Sequence, residues 1–212
     1  MTRAPSWCGV ILAAGESTRM GSDKAVLPWP ADGSAPGETF LSAAIRRLEP
    51  FNDLVIVVVG KNEPKLAPLI YASGAFLLRN PDPERGQFSS LQTGLREVLN
   101  RGRDAAMVTL VDRPPVSNST IPKLLAVFEA ASAQGKWGVI PEYAGKHGHP
   151  ILIGREMIEV FLKARATATA RDLEHQNVER LEYVAVDDPL IAVNVNTPEE
   201  YAALSNTNSM TL

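Results

Sequence analysis

Several common features are scarce or missing in this chain, and each absence removes a class of protein. One cysteine, Cys8, permits no intrachain disulfide, and a reducing cytoplasmic setting fits best. Because Cys8 lies within an apolar stretch, a packed thiol is expected there rather than a reactive one. Charge of one sign is not in excess: 21 Lys and Arg against 24 Asp and Glu leave a net charge of −3, which gives no basic field for nucleic acid or an anionic membrane. No apolar run approaches the roughly 20 residues that span a bilayer. Arg3 followed by Trp7 to Ala14 imitates a signal peptide only faintly; the apolar part is short and runs into a polar loop, so no leader is expected. Two phosphate signatures are also missing. There is no G-x-x-x-x-G-K-[S/T], and the spacing Gly15…Gly21 is not G-x-G-x-x-G, so neither a P-loop NTPase nor a dinucleotide-binding dehydrogenase is expected.

What is present suits a globular domain. Hydrophobic residues make up 45% of 212, enough to bury a sizeable core, and one domain over residues 1–204 with a flexible polar tail at 205–212 is expected. Continuous apolar runs read as strands covered on both faces: Gly9 to Ala14, Leu54 to Val59, Ala75 to Arg79 and Ala105 to Val111. Trp137 to Pro141 and Pro150 to Ile153 read as a strand pair around a Gly/His loop, and Leu181 to Val186 and Ile191 to Val195 as the closing strands. Helical spacing recurs between them, at Thr39 to Leu48, Glu63 to Tyr71, from Ser89 to about Asn100 with Ser89 and Gln92 as a capping box, Ser119 to Ala131, and Arg155 to Leu162. Thr197-Pro198-Glu199-Glu200 combines an N-cap, a proline at the first helical position and a capping-box glutamate. Strands alternating with helices predict an α/β fold: a three-layer, Rossmann-like, mostly parallel sheet with helices on both faces.

Sites on such sheets lie at the carboxyl ends of the strands, which puts Gly15 to Lys24, Asn80 to Ser90, Asp112 and Asn194 to Asn196 on one rim. The first of these reads A-A-G-x-S-x-R-M-G-x-x-K, from Ala13 to Lys24. Small residues let a ligand approach the backbone, and Arg19 and Lys24 add positive charge, so the loop is suited to phosphates. A plain turn with two solvated cations is the alternative. Asp112, a carboxylate at a strand end, is a candidate metal ligand, or else a turn cap before Pro114.

These residues closely resemble the signature of the molybdenum-cofactor-type nucleotidyltransferases, which include molybdopterin cytidylyltransferases and molybdenum-cofactor guanylyltransferases. The resemblance continues in order through Gly86 to Leu95, Val111-Asp112-Arg113-Pro114, Gly148-His149-Pro150 and Asn194 to Glu200. It implies a nucleotide-diphospho-sugar transferase-like fold and the transfer of a nucleoside monophosphate from an NTP to a phosphorylated acceptor, most simply molybdopterin, with release of pyrophosphate. Backbone around Leu12, Ala13, Ala14 and Gly15 would face the base, with Asn80, Ser89 and Ser90 shaping the nucleotide pocket. Arg19 and Lys24 would hold the triphosphate, and Asp112 would bind Mg²⁺. His149 and Arg171 match positions that face the acceptor; a structural loop and a solvated helix charge are their alternatives.

Two features pull in different directions. Ala13-Ala14-Gly15 matches the cytidylyltransferase branch, where a Cβ at Ala14 narrows the space beside the base and favours CTP over GTP. Asn194-x-Asn196 stands where some relatives carry Asp-x-Asp and matches the guanylyltransferase branch; asparagine can ligate Mg²⁺ but adds no charge. Two other functions remain open at this stage. One is the same chemistry on a sugar phosphate or another small phosphorylated metabolite. The other is a nucleotide-binding protein without turnover that delivers cofactor to a molybdenum enzyme.

Overall fold

A computed structural model describes residues 5–15, 20–30 and 35–207. At its centre lies β1 (Trp7–Leu12), flanked by β2 (Leu54–Val59) on one edge and β4 (Ala105–Leu110) on the other, both parallel to it. β3 (Phe76–Arg79) extends the sheet in parallel beyond β2. On the far side β7 (Ile151–Gly154) runs antiparallel to β4. It is followed by β5 (Gly138–Tyr143), which pairs antiparallel with β7 and parallel with β8 (Leu181–Ala185). A short β6 (Lys146–His147) folds back along the end of β5. Among the described residues, six of the eight strands thus point one way.

β1 and β2 are apolar along their length because both faces are covered. Successive residues alternate between two cores: Ile11, Val55 and Val57 meet α1 (Phe40–Leu48), α2 (Glu63–Ala72) and α4 (Thr120–Ser132), while Val10, Ile56 and Val58 meet α3 (Gln87–Asn100), α5 (Arg155–Lys163) and α6 (Ala170–Gln176). Layers this close need a small residue at one contact. Any Cβ on Gly94 of α3 would lie 2.7 Å from Val10 Cγ1, so Gly94 lets the helix sit down on β1.

Three local expectations are corrected. Ile191 to Val195 is not a strand: the segment opens in a 3₁₀ turn, Pro189–Ala192, because the buried Asp188 carboxylate accepts from Leu190 N–H (3.0 Å) and Pro189 fixes the first position. The Ser89/Gln92 capping box does not form. α3 begins two residues earlier, after Gly86, and Gln92 instead donates to the carbonyls of Phe161 (2.9 Å) and Ala164 (3.2 Å) at the end of α5. The third is α6, which the apolar pattern did not predict; its start is marked by Thr169 accepting from Asp172 N–H at 3.1 Å. The cap expected at Thr197 is present at the head of α7 (Pro198–Thr207): Thr197 Oγ1 accepts from Glu200 N–H (3.3 Å), and the Glu200 carboxylate accepts from Thr197 N–H (3.2 Å). Among the described residues, no helix is long and apolar enough to cross a membrane.

Candidate active site

The chain leaves β1 for β2 and β3 on one side, then returns to place β4 on the other. Parallel strands with diverging connections leave a crevice beyond their carboxyl ends. A pocket of about 220 Å³ lies there, lined by Leu12, Ala14, Gly15, Lys24, Ser90, Asp112, the Pro83–Gln87 turn and the end of β4. α3 starts in its wall, and a helix's first N–H groups have no partner among its own carbonyls, which suits an anion.

Lys24 is the hub of this pocket. It stands in a 3₁₀ turn, Lys24–Val26, capped by Asp23, whose carboxylate accepts from Ala25 N–H at 3.1 Å. Its side chain is only 10% exposed, so the turn directs it inward rather than to solvent. The ammonium lies 3.3 Å from Asp112 Oδ2 and donates to Asn196 Oδ1 at 2.9 Å. Asp112 Oδ1 is buried and has no hydrogen-bond partner. A carboxylate oxygen with a free lone pair and an amide oxygen, both groups already in contact with the Lys24 ammonium, are hard oxygen donors of the kind that suit a divalent ion. Such ions are commonly held by one or two carboxylates, with substrate phosphates completing the shell. Among the described residues, no group of three His, Cys, Asp or Glu side chains offers a closed all-protein metal site.

The other predicted residues divide into those the structure brings together here and those it does not. Ala13 lies just below the pocket, donating its N–H to Val58 O at 2.8 Å. Asn80 is buried and reaches the pocket only through its neighbours: Nδ2 donates to Ser89 Oγ (2.9 Å) and Ser90 Oγ (3.0 Å), and Oδ1 accepts from Asp82 N–H (3.0 Å). Ser89 ties back to Gly86 O at 2.8 Å, so Asn80 and Ser89 shape the loop while Ser90 lines the cavity. Asn194 is exposed beside Val195, whose N–H donates to Asp112 O at 2.9 Å. Arg19 falls outside the described residues.

The Gly148–His149 loop, expected to face the acceptor, packs against the 189–195 segment. His149 N–H donates to Ile191 O at 3.0 Å, and a Cβ on Gly148 would run into that same carbonyl. Burial, reinforced by the Arg113 guanidinium, pushes the His149 imidazole down to about 3, and its Nδ1 has no partner. Arg113 was not singled out from sequence, yet it fastens this side by donating to Ile191 O at 3.1 Å. Arg171 stands exposed on α6 and does not line the pocket. His147 stacks on Tyr183 with ring centroids 4.3 Å apart, and its Nε2 lies 3.4 Å from Glu142.

A crevice at the sheet's switch point, with one buried lysine against one metal-competent carboxylate and a helix start in its wall, is built for a polyphosphate. Its class is that of the NTP-using transferases. The model of the MobA-like NTP transferase domain matches residues 9–181, so the chain belongs to that family and is a nucleotidyltransferase. It is 28% identical to the molybdenum cofactor guanylyltransferase of Xanthomonas euvesicatoria pv. vesicatoria, over 98% of this chain and 99% of that one. It is 30% identical to the purine catabolism protein PucB of Bacillus subtilis (94% and 96%) and 25% identical to the molybdenum cofactor cytidylyltransferase of Escherichia coli (91% and 92%). Its fold is shared with the crystal structure of Rv0371c from Mycobacterium tuberculosis, at a TM-score of 0.76, 22% identity, and 95% and 98% coverage.

Proposed function

We propose that the protein transfers CMP from CTP to a phosphate of the molybdopterin cofactor in a Mg²⁺-dependent reaction. An acceptor phosphate oxygen attacks the α-phosphorus, the bond from that phosphorus to the α–β bridging oxygen breaks, and pyrophosphate leaves with the electron pair. The observation that carries this reading is the buried Lys24 ammonium facing Asp112 and Asn196 at the mouth of the β1–β4 crevice. The acceptor phosphate is already an anionic nucleophile, so the residues need to align it and offset charge rather than remove a proton.

In this reading Lys24 holds the triphosphate near the α-phosphate, together with Arg19. Asp112 and Asn196 would hold Mg²⁺, with Asn194 beside them; the ion, when bound, offsets negative charge on the phosphates and the leaving group. Leu12 to Gly15 face the base, and the α3 start receives phosphate oxygens. His149, kept neutral by burial, and Arg171 serve the acceptor. Ala14 in the pocket wall supports the choice of pyrimidine over GTP, since its methyl takes space beside the base. Relatives named for cytidylyl and for guanylyl transfer to molybdenum cofactor both support the acceptor.

One experiment tests this reading. The protein is incubated with Mg²⁺, each of the four NTPs in turn, and molybdopterin or a panel of sugar phosphates, and pyrophosphate is measured. Turnover with CTP and molybdopterin is expected. Turnover only with GTP would overturn the base assignment, turnover only with a sugar phosphate the acceptor, and tight NTP binding with no turnover the catalytic role.

A further inference from the structure

Asn62 immediately precedes α2 at the N-cap position, where an asparagine ordinarily accepts a hydrogen bond from the helix's own first turn. Here it makes no such cap. Its whole side chain is spent on other segments: Oδ1 accepts from Gly60 N–H at 3.1 Å, and Nδ2 donates to Ala13 O at 2.9 Å and to Asp23 Oδ2 at 2.8 Å. One amide thus joins the end of β2, the end of β1 and the residue that caps the Lys24 turn.

The partners of that amide mark both ends of one stretch of chain. Ala13 precedes Ala14 and Gly15 of the pocket wall, and Asp23 precedes Lys24. Asp23 is itself held at both oxygens, Oδ2 by Asn62 and Oδ1 by Ala25 N–H, so the amide reaches the Lys24 backbone through a single side chain. A strand end and a lysine turn held by one amide keep their groups in register, and misplacing a contact by about 1 Å costs on the order of 10²-fold in rate.

We infer that Asn62 is a positioning residue for NTP binding and transfer, acting through Asp23 on Lys24 and through Ala13 on the base-facing strand end. The inference rests on the nucleotidyltransferase site proposed above. It has a chemical signature of its own. Asn62→Asp would set two carboxylates against each other with no proton between them, whereas adding Asp23→Asn restores an amide facing a carboxylate with donor and acceptor exchanged. The reversed pair keeps the caps on Gly60 N–H and Ala25 N–H, and at Ala13 O it sets a carboxylate oxygen where the amide donated.

The test measures CTP binding by calorimetry, and kcat and KM for CTP and acceptor, in wild type, Asn62→Asp, Asp23→Asn and the double variant. Melting temperatures are recorded in parallel. Asn62→Asp is expected to weaken CTP binding and lower kcat/KM for CTP by roughly 10- to 100-fold, with acceptor KM unmoved. The double variant should recover most of that loss. Unchanged CTP binding in Asn62→Asp, or a double variant no better than the single, would overturn the inference. Should Asn62→Asp not fold, Asn62→Ala is compared in wild-type and Lys24→Ala backgrounds. An action through Lys24 predicts that its effect on CTP binding largely vanishes in the second background, and additive losses would sink it. A wild-type protein that binds CTP but releases no pyrophosphate would refute the proposed reaction, while the binding measurements would still decide the role of Asn62.

Discussion

The Lys24 ammonium donates to Asn196 Oδ1 at 2.9 Å across 172 positions of sequence, and the same nitrogen lies 3.3 Å from Asp112. Three separate stretches of chain therefore converge on one cation. Lys24→Ala should lower pyrophosphate release by at least ~10²-fold, about what removing one contact to developing transition-state charge costs. Steady-state assays at saturating CTP check this, and a rate within a few-fold of wild type would show that Lys24 only neutralises Asp112.

Asp112 makes a separable prediction because its Oδ1 is buried without a partner. Asp112→Asn keeps the size and an oxygen but removes the charge, and it should reduce turnover by at least ~10²-fold while raising the Mg²⁺ concentration needed for half-maximal rate. Chelation of Mg²⁺ should abolish turnover in the wild type, and readdition should restore it. Unchanged metal dependence in Asp112→Asn would place the ion elsewhere.

Gly148→Ala tests how closely the Gly148–His149 loop lies on the 189–195 segment. The added methyl meets the Ile191 carbonyl, which Arg113 and His149 also hold, so neither side yields freely. Overpacking of this kind costs about 1–3 kcal/mol, a fall of several degrees in melting temperature for a chain of this size. Thermal denaturation that matches wild type would show that the loop shifts without cost.

The pH dependence of stability should carry two opposed slopes. His149 is pushed down to about 3, against 6.5 in the unfolded chain, so folding must exclude its proton and stability falls as pH drops from about 6.5 toward 3. Glu174 is pushed up to about 7 by burial, with Arg171 opposing, so its contribution is present below 4.5 and is lost as pH rises from there toward 7. Urea titrations across pH 4–8 should show the first slope flattened in His149→Gln and the second in Glu174→Gln. Profiles unchanged from wild type would rule out these assignments.

How much of this was legible in sequence depended on whether a residue acts locally or at a distance. The central strands were readable because their alternating faces are both buried, leaving continuous β-branched runs. Lys24, Asp112, Gly15 and Ser90 were readable because they belong to compact strand-end motifs. Ile191 to Val195 misled because Ile191 and Val195 are fully buried; an apolar run reports burial, and here burial comes with a turn set by Asp188 and Pro189. α6 was missed because it is short and buries only Leu173. The roles of Asn62 and Arg113 were not legible, since the hydrogen bonds by which they join other segments go to residues about 40 to 80 positions away.

The strand order has a further consequence for the making of the protein. β1, formed near the start of the chain, takes its second neighbour from Ala105–Leu110, and the cation at its tip waits for an amide at position 196. A ribosome emits these segments in series, so during synthesis the crevice has only one wall until the fourth strand has emerged. The lysine can meet Asn196 only after that residue has emerged in turn. The order in which the crevice is assembled is thus written into the connectivity rather than into any single residue.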